Sequence, residues 1–296
     1  MFPPESHTRR RALGWLAGAC LPAAAHEAPR FLVQTEPSLA HASALIEAAL
    51  AAAGFAATFQ ETPNMTEQRN LHEGQKGNVH LSLLPTTPDR LALLRKGQLR
   101  LIPIPLERGL LGWRACFVAR QDADKLAGVR DLTGLRRFVI GQGNGWWDAQ
   151  IYRAAGITTR EIPNWRDGQF FRQMALGQID LFPMGLEESL NYFLPHFQLR
   201  YPGLVLDRHL LLQYPWYRAL WVSAHPDADR LYAALQTGFD HIVHSGEFER
   251  LWNRLRPLPA PAAWQGRTVI ALKNPWFGPE LIAPKYRHLL LQPALD

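Results

Sequence analysis

Arg90 has the clearest capacity for chemistry in this chain, because its guanidinium is a planar fork of N–H donors that fits a carboxylate through two parallel hydrogen bonds. Thr87 precedes it by three residues, beside Thr86, and Pro85 and Pro88 bracket the two threonines. That spacing puts all three side chains on a loop or first helical turn just after a strand. The plainer role for Arg90 is that of an exposed helical arginine. A second stretch with chemical meaning is Gly141-Gln142-Gly143-Asn144-Gly145. It fails the dinucleotide fingerprint, since Trp146 stands where the third glycine is needed, and a nucleotide role is not expected.

Several further residues are candidates. Glu36 follows the first strand, at the sheet end where open α/β structures gather ligands. Glu187 and Glu188 could offer negative charge to a ligand, or they could occupy the exposed first turn of a helix, where acids favour the dipole. Trp146, Trp147, Tyr214, Trp216 and Tyr217 could wall a cleft around a flat or cationic group. Core packing is expected to claim most of the ten tryptophans. Arg69 and Arg108 fit salt bridges as well as ligand contacts. The eleven histidines show no H-x-H, H-E-x-x-H or Cys/His spacing. His241, His244 and Glu247 share one helical face and read as a solvated face ahead of a metal site. No G-x-S-x-G elbow is present. No catalytic residue, metal or cofactor is expected.

The elements that must position these residues alternate short β-like runs with helical ones, as in α/β architecture. Strands are expected at 31–34, 56–60, 79–84, 101–105, 115–119, 138–140, 179–182, 219–223 and 268–272. Helices are expected at 40–53, 66–73, 147–155, 170–176 and 186–193, with two more in 227–255 separated by Gly246. Gly54, Gly74, Gly156 and Gly177 serve as stop signals. The stretch 108–113 reads as a crossover between two lobes, and the aromatic segment 210–217 as the return. Asp180 is expected to be structural. The tail carries Trp276, Phe277 and Tyr286 and should pack onto a lobe.

Composition bounds the class. Arg9, Arg10 and Arg11 precede an apolar run, 12–25, that is shorter than the ~20 residues of a membrane-spanning helix. This predicts a signal peptide over 1–25 cleaved before His26, hence export and a periplasmic location. Thr8-Arg9-Arg10 resembles a twin-arginine signal, ordinary secretion stays open, and Cys20 is a candidate lipidation site. Lys and Arg total 32 against 26 Asp and Glu. Both signs alternate along the chain, so no nucleic-acid-binding stripe is expected. Cys116 is the single cysteine of the mature chain and reads as a small core residue. The length exceeds one usual domain of ~100 to 150 residues and favours two lobes.

Three segments together resemble bacterial solute-binding protein family 3. Gly77-Asn78-Val79-His80-Leu81 through Thr87-Pro88-Asp89-Arg90 resembles that family's "G-x-V-D-x … T-x-x-R". Asp131-Leu132-Thr133-Gly134 through Gly141-Gln142-Gly143 is similar to its "D-L-x-G-x-x-V-G-V-x-x-G", and Met174 through Leu181 to its "L-x-x-G-x-x-D-A". The resemblance covers about residues 30–255. It implies a type II periplasmic-binding-protein fold, with two α/β lobes joined by two crossovers and a ligand cleft between them. Lobe 1 would comprise 26–113 and 217–296 with the C-terminal tail, and lobe 2 would comprise 114–216. It also implies that Thr87 and Arg90 fix an anionic group. The glycine loop, with Gln142, Gly143, Asn144 and Gly145, would then complete the anion's hydrogen bonds through backbone N–H groups at a helix start. The family's amino-acid binders carry an aspartate where this chain has Gly185. Glu187 or Glu188 is the substitute charge nearest in sequence.

The function expected is therefore capture of a small polar, carboxylate-bearing solute, delivered to an ABC permease, by a monomer. A membrane sensor is the other partner considered. The alternative is an enzyme on the same fold, similar to cyclohexadienyl dehydratases, for which one acid such as Glu36 or Glu188 would suffice.

Overall fold

The structure is a computed structural model that describes residues 29–34, 40–63, 65–256, 260 and 263–291. The signal-peptide reading of 1–25, Cys20, the cleavage point at His26 and Glu36 lie outside the described residues.

The chain opens with β1 (Arg30–Gln34), α1 (Ala40–Ala52), β2 (Thr58–Glu61), α2 (Glu67–Gln75), β3 (Leu81–Pro85), α3 (Pro88–Arg95) and β4 (Leu99–Ile102). It continues through β5 (Trp113–Ala119), α4 (Leu132–Leu135), β6 (Ile140–Gly143), α5 (Asp148–Ala154), β7 (Thr159–Ile162), α6 (Gln169–Ala175) and β8 (Phe182–Gly185). Next come α7 (Leu186–Glu188), a π-helical turn (Ser189–Phe193), α8 (Leu194–Arg200), β9 (Leu204–Gln213) and β10 (Arg218–Ser223). The described chain ends with α9 (Ala228–His244), α10 (Glu247–Leu255), β11 (Thr268–Ala271) and two short 3-10 turns.

Among the described residues the strands form a five-stranded, a four-stranded and a two-stranded sheet, and with the last two joined by one bridge the two lobes share one plan. The first runs β2-β1-β3-β10-β4. β1 pairs in parallel with β2 and β3, whereas β10 is antiparallel to both β3 and β4. In the second, β6 and β7 are parallel, and a single bridge from Ile140 to Leu181 brings β8 alongside them. β5 lies antiparallel between β8 and β9. The order β7-β6-β8-β5-β9 thus repeats the plan of the first sheet. In each sheet the fourth strand has crossed from the other lobe: β10 returns to the first, and β5 enters the second.

Local sequence accounts for most of these elements. Thr87 caps α3 and accepts a hydrogen bond from the Arg90 N–H, and Pro88 stands in the first turn, where its missing donor costs nothing. Gly246, at φ 76, separates α9 from α10 in a left-handed conformation open to glycine. Several expectations shift. Gly74 lies inside α2, and Gly77 is the glycine that turns left-handed at φ 76. Gly141, Gln142 and Gly143 belong to strand β6 and are not a loop. β7 and the ten-residue β9 went unread, because Arg160, Glu161, Asp207, Arg208 and His209 interrupt their apolar runs. The C-terminal strand, grouped with lobe 1 from the sequence, instead extends the second sheet by pairing in parallel with β9.

One apolar core runs through the first sheet, the crossovers and the near face of the second. A second, aromatic core holds Phe117, Phe170, Phe182 and Phe197 on the far face.

Candidate functional site

The two lobes present matching strand ends to each other. Arg218, the first residue of β10, is in register with Pro85 at the carboxyl end of β3. Arg114 on β5 is in register with Gly185 at the carboxyl end of β8. Each arginine thus stands where a crossing strand meets the end of its new sheet, the end at which open α/β folds place ligands.

Glu188 spans the gap between the lobes. Its Oε1 accepts a 3.0 Å hydrogen bond from Arg218 Nη2. Its Oε2 lies 2.7 Å from the point where a Cβ on residue 185 would stand. The carboxylate of Glu188 therefore fills the space that an aspartate side chain at 185 would need. Glu187 turns the other way and accepts from Arg256 Nε at 2.7 Å.

Behind this pair lies Glu107, in the first crossover. Its Oε1 accepts from Arg218 Nη1 at 3.0 Å and from Arg256 Nη1 at 2.8 Å, whereas its Oε2 is buried with no partner. Burial pushes the Glu107 carboxyl up, but the charges of Arg218 and Arg256 outweigh it and hold the pKa at about 2. His41, at the start of α1, sits with Nε2 2.9 Å from Arg256 Nη1. Burial, aided by the Arg256 charge, lowers its pKa to about 4, so the ring is neutral and its Nε2 accepts. His41, Glu107, Arg218 and Arg256 were not singled out from the sequence. They carry no motif, and their mutual separations reach 215 residues.

Arg90 is 2% exposed. Its Nη1 donates to the Pro85 carbonyl at 2.9 Å and to Glu67 Oε2 at 3.1 Å, and its Nη2 donates to the Glu67 carbonyl at 3.4 Å. Burial lowers its pKa against the opposing pull of Glu67. Thr86 is also buried, with its Oγ1 donating to the Tyr217 carbonyl at 3.2 Å, and Thr87 is committed to capping α3. The T-x-x-R segment is thus a closed local unit whose arginine already holds a carboxylate.

The glycine stretch is similarly engaged. The Asn144 N–H donates to the Ile162 carbonyl at 3.1 Å, the Trp146 N–H to the Gly143 carbonyl at 3.0 Å, and the Gly145 N–H to Glu161 Oε2 at 2.9 Å. That Gly145 bond, together with Arg153, draws the Glu161 carboxyl below its ordinary range. Trp146 folds its indole over Gly143, where any Cβ would come within 2.6 Å of the ring. Gln142 donates from Nε2 to the Pro183 carbonyl at 2.8 Å, and its buried Oε1 has no partner.

Tyr214 is no aromatic wall. Its hydroxyl donates to Asp148 Oδ1 at 2.5 Å, accepts from Arg114 Nε at 2.9 Å and lies 2.9 Å from the Tyr152 hydroxyl. Arg114 also pairs with Asp148 at 2.6 Å. Burial pushes the Tyr214 pKa well above the ordinary tyrosine value. The remaining aromatic candidates pack on other rings: Trp146 on Trp165, Trp147 on Trp276, and Trp216 and Tyr217 on Phe277. Asp180 binds Lys125 Nζ at 2.5 Å and the Val139 N–H at 2.7 Å, a structural role. Among the described residues no three His, Cys, Asp or Glu side chains are grouped to hold a metal. No described helix is long and apolar enough to cross a membrane.

The fold has counterparts among solved structures. An ancestral arginine-binding protein bound to glutamine superposes with a TM-score of 0.51 at 14% identity, over 79% of this chain and 100% of that one. An amino acid ABC transporter substrate-binding protein from Streptococcus pneumoniae, bound to L-arginine, gives 0.49 at 16% identity, over 76% of this chain and 93% of that one. The arginine-, lysine-, histidine-binding protein of Geobacillus stearothermophilus gives 0.46 at 14% identity, over 78% and 96%. No protein-family model matches the sequence. No curated protein matches it. The chain has the type II periplasmic-binding-protein fold.

Proposed function

We propose that this protein is an exported solute-binding protein of the family 3 kind, which captures a small zwitterionic solute between its lobes for an ABC permease. The observation that carries this reading is the opposed pair Arg218 and Glu188, one on each lobe, with the Glu188 carboxylate in the place of an aspartate at 185. A zwitterion can enter that pair without leaving either charge unmatched. Its carboxylate takes the guanidinium of Arg218, and its ammonium takes the carboxylate of Glu188. Arg218 is preferred to Arg90 as the carboxylate seat because Arg90 is buried and paired within its own lobe, to Glu67 and the Pro85 carbonyl, whereas one partner of Arg218, Glu188, belongs to the opposite lobe. The orphaned Oε1 of Gln142 offers a further acceptor on the second lobe.

Binding fits the junction better than turnover. Glu107, Glu187 and Glu188 each accept hydrogen bonds from an arginine, and none is a free carboxylate poised to move a proton.

A thermal-shift and calorimetric screen of the chain against amino acids, small carboxylates and amines tests the reading. Ligand at 100 times its Kd adds ~2.7 kcal/mol. Zwitterions should raise the melting temperature and be recovered unchanged. Arg218→Ala and Glu188→Gln should each lower affinity at least tenfold, a loss of ~1.4 kcal/mol, and Arg90→Ala should lower it less. Carboxylates that bind as well as their amino-acid counterparts, or consumption of the hit, would overturn it.

A further inference from the structure

We propose that the C-terminal segment, residues 263–291, is a splint across the hinge that fixes the angle between the two lobes. Two-lobed proteins of this plan open and close by bending at their crossovers, so a segment bonded to both crossovers and both lobes must break contacts whenever they open.

The contacts follow one another along the segment. β11 is bonded to the second lobe through β9, and the Leu272 N–H extends that ladder to the Gln213 carbonyl at 2.7 Å. Asn274 Nδ2 then donates to the Pro215 carbonyl in the second crossover at 2.9 Å. Trp276 packs edge-on against Trp147 at the start of α5, 5.2 Å between centroids. Phe277 stacks on Trp216, 5.7 Å away and tilted by 15°, and also meets Tyr217. Past this point the chain reaches the first lobe. The Ala283 N–H donates to the Pro103 carbonyl at 3.0 Å, and Lys285 Nζ and the Tyr286 hydroxyl each donate to Asp240 on α9 at 2.7 Å.

The last contacts fall on the first crossover itself. Arg108 adopts φ 52, a left-handed conformation that is strained for a residue with a side chain. Its Nε donates to the Leu289 carbonyl at 2.8 Å, and its own carbonyl accepts from the Leu291 N–H at 2.9 Å. The tail therefore holds the one strained residue of that crossover from both sides. Removing it would free Arg108 to relax, and the hinge with it. The Arg218–Glu188 and Arg256–Glu187 pairs also join the lobes, so the splint and the ionic pairs hold the junction through separate sets of residues.

The test reads lobe separation without any ligand, so its failure is distinct from failure of the solute-binding reading. In a chain carrying Cys20→Ser, spin labels at Lys96→Cys on the first lobe and Gln178→Cys on the second report one interlobe distance, and Cys116, at 0% exposure, escapes labelling. The parent chain should give a single narrow distance distribution. Trp276→Ala with Phe277→Ala should add a longer-distance population, with the open fraction rising about tenfold. Lys285→Ala with Tyr286→Phe removes only partly exposed polar contacts to Asp240 and serves if the aromatic variant fails to fold. A longer-distance population in that variant supports the splint. A distribution identical to the parent in a folded variant overturns it.

Discussion

Arg218 and Arg114 occupy the same register in the two lobes, opposite Pro85 and Gly185, yet their environments differ. Arg114 is sealed within its own lobe by Asp148, Tyr214 and Tyr152. Arg218 instead reaches across to Glu188 and back to Glu107. The same backbone plan thus supplies one arginine that welds a lobe and one that joins two lobes. In the proposed function the second kind is the one that a ligand recruits.

Acid should weaken the fold in two stages. His41 has a folded pKa lowered from 6.5 to about 4, so its contribution is complete above the higher value and is lost as pH falls from 6.5 to 4. Glu107, lowered from 4.5 to about 2, adds a second loss as pH falls through that range. Urea unfolding at pH 7, 5 and 3 should show both stages. His41→Gln should flatten the first and leave the second.

Moving the charge back to position 185 should preserve binding. Gly185 has φ −50, which any residue adopts, and the nearest atoms that a Cβ there would meet belong to the Glu188 side chain. Gly185→Asp combined with Glu188→Ala should bind a zwitterionic solute within about tenfold of the parent, ~1.4 kcal/mol. Glu188→Ala alone should lose more. Equal affinities for the single and double variants, measured calorimetrically, would contradict the placement of the ammonium.

Tyr214→Phe should destabilise the second lobe by ~1 to 3 kcal/mol in chemical denaturation, because the buried Asp148 carboxylate loses a donor. Its effect on solute affinity should be small, since Arg114 and Asp148 remain paired.

Arg90→Ala should cost ~3 kcal/mol or more of stability by stripping the Pro85 carbonyl of its donor and opening a cavity in the first lobe. Arg218→Ala should cost less stability and more affinity. The two variants compared by both measurements separate a structural arginine from a ligand-binding one.

Much of this was legible in the sequence. Apolar rhythm and stop signals placed β1, α1, β3, α5, α9 and α10 within a few residues, and the three motif segments pointed to the two-lobed fold. The segment 138–145 was misassigned by a few residues, enough to turn part of a strand into a loop. Glycines permit both conformations, and only pairing with β7 decides. β9 was missed for the opposite reason, since a strand whose Asp207, Arg208 and His209 interrupt the apolar run has no clean period.

The sequence by itself determined the order of most of the βα units and the two crossings, because these follow from local propensity and periodicity, and it offered Arg90 and the glycine stretch as anion holders. Tertiary structure alone decided that those groups are already engaged and that Arg218 and Arg256, which carry no motif, stand at the junction. Arg90 meets Glu67 across 23 positions, Arg218 meets Glu107 across 111, and Arg256 meets His41 across 215. An arginine's role depends on the carboxylate that neutralises it, and that partner is chosen by which strand ends and helix starts the fold brings together.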